Sequence, residues 1–211
     1  MKVTKFAHSC LLLETDEESV LFDPGSFSTS LIDINKLPKN LKYIAITHEH
    51  FDHMDVDFIK KLLNLKKDIS IVTTNSATNQ LKQAGINNVS STPNTNLSFF
   101  KAPHEDIKPL GESPENIGIH YKEVFSSPGD SHSFTETKAI LALPITAPWG
   151  YVVNAANLAT KLKPKYIVPI HDWHWKKEAL DGMYDRLEDY FAGIGIKFLK
   201  PVDGEPFQID V

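Results

Sequence analysis

An apolar run that leads straight into a cluster of metal-binding side chains constrains this chain more than any other feature. Residues 41–47 have the composition of a buried strand, and they are followed within six residues by His48, His50, Asp52 and His53. Imidazole and carboxylate groups are the ligands that zinc, iron and manganese prefer. The sequence therefore predicts a metal site at the carboxyl end of a buried strand.

Three further candidate ligands, His104, Asp130 and His171, each follow a predicted strand elsewhere in the chain. Because strand ends can converge at one edge of a sandwich, these side chains can reach the cluster although they are distant in sequence. The four clustered side chains cannot all bind one tetrahedral ion and leave a position open, so we expect two ions. Asp130 has two carboxylate oxygens and could bridge ions that lie about 3.5–4 Å apart.

The cluster itself is expected to divide between the two ions. Side chains alternate along an extended segment, so His48 and His50 point the same way. Asp52 and His53 lie where the chain bends, and they can face a second ion.

The rest of the pattern predicts an α/β protein that forms a single domain over residues 1–211. The strands come in two groups, each followed by helices, which indicates two sheets with helices outside them. The strands are expected at 2–14, 19–22, 41–47, 70–73, around 89, at 97–101, 117–126, 139–143 and 166–170, and from 198. The helices are expected at 55–65, 76–84, from 147 to before 164, and at 173–192.

The ligand series resembles that of the metallo-β-lactamase superfamily in order and spacing, from the Asp23-Pro24-Gly25 turn to the strand end at His171. The segments 101–104 and 128–131 are most similar to the branch of small metal-dependent hydrolases related to ascorbate-6-phosphate lactonase. The resemblance implies a four-layer αββα sandwich. It implies that the first metal is held by His48, His50 and His104. It implies that the second metal is held by Asp52, His53 and His171, with Asp130 as the bridge.

The expected function is that of a dinuclear metal-dependent hydrolase. A metal-bridging hydroxide would attack an ester, lactone, amide or phosphodiester bond, and Asp52 would orient the hydroxide or help to move its proton. Zinc is the first expectation for this nitrogen-rich set of ligands, and manganese or iron also suits it. The alternatives are a phosphodiesterase or nuclease of the same superfamily, and a metal-loaded binding or sensing protein without turnover.

Four other residues are weaker candidates for the site. Asp23 would accept a hydrogen bond from a ligand imidazole, or else form a plain turn. His8 would contact substrate, or else be a core histidine. His132 and Trp149 would line the cleft, or else serve packing. A fifth polar residue, His120, is expected to be a solvated strand residue.

Composition limits the partners. The net charge is −5, and Arg186 is the only arginine, so we expect no nucleic acid and a small-molecule substrate. Two dications with two aspartates and a hydroxide leave about +1 at the site, which favours an anionic substrate. Cys10 is the only cysteine, and no apolar run approaches the ~20 residues of a membrane span, so a cytoplasmic protein is expected. The oligomeric state stays open.

Overall fold

The computed structural model describes residues 1–210, and over that range the chain forms two β-sheets and four α-helices. The strands are β1 (Lys2–Lys5), β2 (Leu11–Glu14), β3 (Ser19–Phe22), β4 (Leu41–Ala45), β5 (Ser70–Val72), β6 (Val89–Ser90), β7 (Leu97–Phe100), β8 (Gly118–Tyr121), β9 (Phe125–Ser127), β10 (Ile140–Pro144), β11 (Tyr166–Ile170), β12 (Lys197–Phe198) and β13 (Pro206–Gln208). The helices are α1 (Val56–Leu65), α2 (Asn75–Gln83), α3 (Val152–Leu162) and α4 (Lys177–Ala192).

Each sheet combines antiparallel hairpins with parallel strands. The first sheet has the order β13-β1-β2-β3-β4-β5-β6, and the second has the order β12-β11-β10-β9-β8-β7. The pair β3 and β4 is parallel, and so is the pair β10 and β11. The carboxyl ends of these parallel strands carry the chain to one edge of the sandwich, where it enters the loops that follow.

The two sheets pack face to face, and their inner side chains form one apolar core. In β3, Val20 and Phe22 belong to this central core, while Leu21 faces the opposite way. This alternation is what a strand with two buried faces requires. The ring of Phe22 lies 4.9 Å from that of Phe125 in the other sheet. The centre of the molecule is therefore a sheet-on-sheet interface.

Helices cover the outer face of each sheet. Phe58, Ile59 and Leu62 of α1 pack with outward-facing residues of the first sheet, and α3 and α4 cover the second sheet in the same way. The apolar stripe of α1 recurs at helical spacing, and Asp55 caps the helix by accepting a hydrogen bond from the backbone N–H of Phe58 at 3.0 Å. The predicted four-layer αββα sandwich is confirmed.

Two predicted strands are wrong because each is a hairpin. The segment 2–14 reverses at Ala7 and His8, which both have positive φ, so β1 and β2 pair antiparallel. The segment 117–126 reverses at Lys122, also at positive φ, between β8 and β9. Positive φ is unfavourable for residues with a Cβ, and tertiary contacts must hold such turns.

Two further predictions need correction. The last helix begins at Lys177 instead of 173, because Asp172 turns inward to the buried amine of Lys5 at 2.8 Å. His120 is buried, not solvated: its ring stacks on Phe100 at 4.2 Å, and its Nδ1 lies 2.8 Å from Ser126 Oγ. The closing strand β13 was not predicted. None of the helices in the described part of the chain is long and apolar enough to cross a membrane.

Candidate metal centre

Asp130 is the centre of the group of side chains at the sandwich edge. Its carboxylate oxygens face the Nε2 atoms of four histidines. The distances are 3.0 Å to His53, 3.2 Å to His171, 3.5 Å to His104 and 3.9 Å to His48. These histidines come from three separate parts of the chain, so the fold brings the distant ligands together as the strand ends predict.

The ligand atoms fall into two groups, and within each group they lie no more than 4.8 Å apart. The first group consists of His48, His50, His104 and Asp130. The second consists of His8, Asp52, His53 and His171. All seven predicted ligands are in these groups, and His8 joins them. Asp130 belongs to the first group and contacts two histidines of the second, which is the position a bridging ligand occupies.

Several of these buried atoms have no hydrogen-bond partner within residues 1–210. They are Nε2 of His53, Nε2 of His104 and Oδ1 of Asp130. His53 Nε2 lies 3.0 Å from Asp130 Oδ1, but the pair does not have the geometry of a hydrogen bond. Only 3% of the Asp130 surface is exposed, so this carboxylate lies away from bulk solvent. Buried polar atoms are nearly always partnered in proteins, and unpartnered ones need an explanation. Their convergence on one point fits ligand atoms that bind a divalent cation.

Hydrogen bonds to the far side of the rings fix which nitrogen faces the centre. His53 Nδ1 lies 3.1 Å from Asp23 Oδ2, His171 Nδ1 donates to the Thr146 carbonyl at 2.9 Å, and His104 Nδ1 donates to the Glu105 carbonyl. Each contact turns Nε2 towards the centre, where it could bind a metal. The sequence identified Asp23 as a candidate acceptor, and the structure places it against His53.

Asp23 also ties β3 to the end of β4. It accepts hydrogen bonds from the backbone N–H of Thr47 at 2.7 Å and from the Thr47 hydroxyl at 2.9 Å. The residue is fully buried and has a φ of 42°. Thr47 immediately precedes His48, so one buried carboxylate holds the backbone of the metal-binding segment and the ring of His53 together.

His8 is fully buried and lies against the second group. Its Nε2 is 3.0 Å from Asp52 Oδ2, and its ring centroid is 4.2 Å from that of His171. Burial lowers the pKa of His8 to about 4, so the ring is neutral and donates its Nε2–H to the Asp52 carboxylate. The sequence left two interpretations of His8 open, a substrate contact or a core histidine. In the structure the side chain is fully buried and its direct partner is Asp52.

Trp149 and His132 lie beside Asp130. The Trp149 indole N–H donates to Asp130 Oδ2 at 3.1 Å, and its ring lies 5.3 Å from that of His132. His132 Nε2 donates to the Pro144 carbonyl at 2.7 Å. Trp149 therefore has a polar contact with the central carboxylate that its sequence position did not reveal.

The pKa shifts show how strongly these groups interact. Burial disfavours the charged form of His53, but the carboxylates of Asp130 and Asp23 outweigh it and raise the pKa of His53 well above its usual value. Burial would raise the pKa of Asp130, but His171 and His53 hold it well below its usual value. Burial together with His53 lowers the pKa of His48. The centre thus combines a firmly ionised carboxylate with several buried imidazoles, which is a donor set for dications.

Gly25 allows two loops to touch. A Cβ at this position would lie 1.8 Å from the Asp52 carbonyl oxygen, so no larger residue fits against the metal-binding segment. The Ser26 N–H donates to the Phe51 carbonyl at 2.9 Å, and the Asp55 N–H donates to the Pro24 carbonyl at 2.9 Å. The Asp23-Pro24-Gly25 turn therefore supports the loop that carries Asp52 and His53.

The four-layer sandwich and the histidine–aspartate centre at its edge define a class of protein, the metallo-hydrolases with the metallo-β-lactamase fold. The crystal structure of the metallo-beta-lactamase fold protein YhfI from Bacillus subtilis is similar to this chain, with a TM-score of 0.70 and 17% identity over 98% of each chain.

The chain belongs to the beta-lactamase superfamily, because residues 2–171 match its family model, described as a beta-lactamase superfamily domain. Protein Rv0786c of Mycobacterium tuberculosis is 30% identical over 199 residues, which cover 90% of this chain and 92% of that protein. A UPF0173 metal-dependent hydrolase of an Exiguobacterium species is 25% identical over 195 residues, which cover 81% and 85% of the two chains. The predicted family is confirmed.

Proposed function

We propose that this protein is a dinuclear metal-dependent hydrolase. The observation that carries the proposal is the position of Asp130 between two groups of histidines, with one buried carboxylate oxygen left without a hydrogen-bond partner among residues 1–210. A single carboxylate between two ligand groups is the arrangement in which two divalent ions share a bridge.

The two ions would be held by the groups that the structure brings together. His48, His50 and His104 would hold the first ion. Asp52, His53 and His171 would hold the second ion, and Asp130 would bridge. When bound, such a pair of ions supplies an activated water and polarises the oxygen of the bond to be broken. Zinc suits this set of ligands best, and manganese and iron are the other candidates.

Asp52 is the proposed catalytic residue. Its side chain is 15% exposed, whereas that of Asp130 is 4% exposed, so Asp52 lies nearer to the open side of the centre. Burial would raise the pKa of Asp52, but the hydrogen bond from His8 and the charge of His53 hold it well below its usual range. A carboxylate that stays ionised orients a water molecule by accepting its hydrogen bond.

The proposed substrate is a small ester, lactone or similar molecule that carries negative charge. Two dications with Asp52 and Asp130 leave the centre with a net positive charge, which attracts anions although the whole chain carries −5. The imidazole ligands add no negative charge. The attraction would come from the metal centre, because the chain has one arginine.

Metal analysis combined with a substrate panel tests this proposal. Purified protein should contain close to two ions per chain, and it should hydrolyse members of a panel of lactones, thioesters and aryl esters. Cleavage of bis-p-nitrophenyl phosphate alone would replace the ester or lactone with a phosphodiester as the substrate. Full metal content without any turnover would favour a sensing protein. Less than one ion per chain would refute the dinuclear centre.

A further inference from the structure

Three aromatic rings lie in a row beside the second group of ligands. The ring centroid of Phe27 is 5.3 Å from that of Phe51 and 4.0 Å from that of Trp173. We call these three residues the aromatic wall. The ring of His8, which contacts Asp52, is 5.5 Å from Phe27 and 6.3 Å from Trp173. The wall therefore begins next to the proposed catalytic carboxylate.

Two residues of the wall are exposed although they are large and apolar, and Phe27 between them is half-buried. Phe51 is 64% exposed and Trp173 is 49% exposed. Scattered exposed hydrophobic residues need no explanation, but a contiguous exposed patch indicates a binding surface. The three residues come from three loops, and the exposed rings meet only at the mouth of the centre.

The backbone holds the wall in place. The Ser26 N–H donates to the Phe51 carbonyl at 2.9 Å, which joins the loops of Phe27 and Phe51. Gly25 packs directly against the Asp52 backbone. Trp173 follows Asp172, whose carboxylate is buried against the amine of Lys5 at 2.8 Å. Because these contacts hold the backbone of the loops in position, little backbone entropy is lost when a ligand covers the rings, so the surface is suited to binding.

We propose that the aromatic wall binds the hydrocarbon part of the substrate, an alkyl chain of about four or more carbons that extends from the group bound at the metal centre. The inference rests on the proposed hydrolase function and names the chemical class of its substrate. The metal centre would attract the anionic or carbonyl end, while Phe27, Phe51 and Trp173 would cover the apolar end. The substrate class is then an ester or lactone with a medium-length alkyl chain.

The test is the affinity of metal-loaded protein for straight-chain carboxylates, measured by isothermal titration calorimetry with acetate, butanoate, hexanoate and octanoate. The wall would cover one face of the alkyl chain, so each added methylene should gain roughly half of the free energy of full burial. This corresponds to a decrease in Kd of about twofold per methylene. Acetate reports on the metal centre alone. A Kd that is the same for acetate and octanoate would overturn the wall as a substrate site.

Phe51→Ala is the variant that isolates the wall. It should weaken octanoate binding by about fivefold or more, leave acetate binding unchanged and leave the metal content unchanged. Leu65→Ala is the matched control, since Leu65 is also 64% exposed but lies at the end of α1. An equal loss in the two variants, or none in Phe51→Ala, would contradict the proposal. A change in sedimentation without a change in octanoate binding would assign the wall to contact between copies of the chain.

Failure of the wall and failure of the hydrolase proposal give different results. If the protein binds two ions and acetate but its affinity does not depend on the length of the carboxylate, the aromatic wall is not a substrate site, and the metal centre is supported. If the protein binds no metal while octanoate still binds more tightly than acetate, the proposal of a dinuclear centre is refuted, and the proposal that the wall binds alkyl chains is supported.

Discussion

The strand β3 has a buried carboxylate at each end, and the surroundings of the two carboxylates differ. Glu18 precedes the strand, and both of its oxygens have partners. Tyr121 and Asn96 each donate to it at 3.2 Å, and the amines of Lys42 and Lys122 lie at 3.4 and 3.5 Å. A buried charge with this many donors is a closed structural contact.

The other end of β3 leads into the candidate metal centre. Asp23 is fully partnered by Thr47 and His53, but the atoms that it helps to position are not. Oδ1 of Asp130 and Nε2 of His53 lack hydrogen bonds within the described part of the chain. A buried charge therefore does not by itself indicate a functional site. Several convergent ligand atoms that the protein leaves unpartnered do mark one.

The largest expected effect in this comparison belongs to Asp130→Ala. This change removes the proposed bridge, so metal content should fall from about two ions per chain towards zero and hydrolysis should fall by about a thousandfold or more. His132→Ala is the control, because His132 bonds to the Pro144 carbonyl and should leave metal content unchanged. Metal analysis and kcat/KM measure both. A greater loss in His132→Ala would mean that the ligand assignment is wrong.

The next effect should come from Asp23→Asn. The amide oxygen still accepts the Thr47 N–H, but the charge that orients His53 is lost, so metal affinity should fall by about 10- to 100-fold. Competition with a chelator measures the affinity. Asp33→Asn, at an exposed turn, is the matched control and should leave the affinity unchanged. Equal metal affinities for the two variants would show that Asp23 does not contribute to metal binding.

A smaller effect is expected at the other end of the strand. Glu18→Gln keeps the shape of the side chain but removes the charge that faces two lysines. The free energy of unfolding should fall by about 1–2 kcal/mol, since both lysine amines are partly exposed to solvent. Urea denaturation measures this loss. Metal content should stay the same, and a loss of metal would break the distinction between the two ends.

The smallest effect tests whether one unpartnered atom is enough to mark a site. His120 Nε2 is buried and has no hydrogen-bond partner within residues 1–210, yet it lies away from the ligand groups. Burial and then Lys138 lower its pKa, so the fold favours the neutral ring. The stability that the neutral ring contributes is fully present above the pKa of histidine in the unfolded chain, about 6.5. It is lost as the pH falls towards the lower pKa of His120 in the folded chain.

His120→Gln should therefore reduce the loss of stability between pH 7 and pH 5 by about 1 kcal/mol or less, relative to the original chain. Thermal unfolding at several pH values measures the difference. Metal content should not change. If the variant loses more stability than the original chain over this pH range, burial does not control the charge of the ring. Glu136, which faces His120 at 3.6 Å, would then control it.

The sequence singles out these candidate ligands because each of them follows a strand, and strand ends are visible as apolar runs. His104, Asp130 and His171 are distant in sequence, but the topology leaves them at one edge. The hairpin at Ala7 and His8 could not be predicted in this way, because neither residue is a glycine or a proline. Its positive φ values depend on contacts such as the one between His8 and Asp52.

The aromatic wall was missed for a related reason. Phe51 lies between the predicted ligands His50 and Asp52, and nothing in the local sequence places it against Phe27. Their contact depends on the close approach of two loops at Gly25, which is a tertiary property. His120 is predicted to be solvated, but its ring stacks on Phe100 in the neighbouring strand and is buried.

The tight contact at Gly25 has a consequence for anyone who diversifies this scaffold. A side chain at position 25 would push the Asp52 backbone away, so a library that varies this position would consist almost entirely of inactive members that still have every ligand. Phe27 and Phe51 lie on either side of that contact with their rings 5.3 Å apart, and Phe51 is exposed. A productive search for new substrate preferences would hold residue 25 constant and vary those two aromatic positions together.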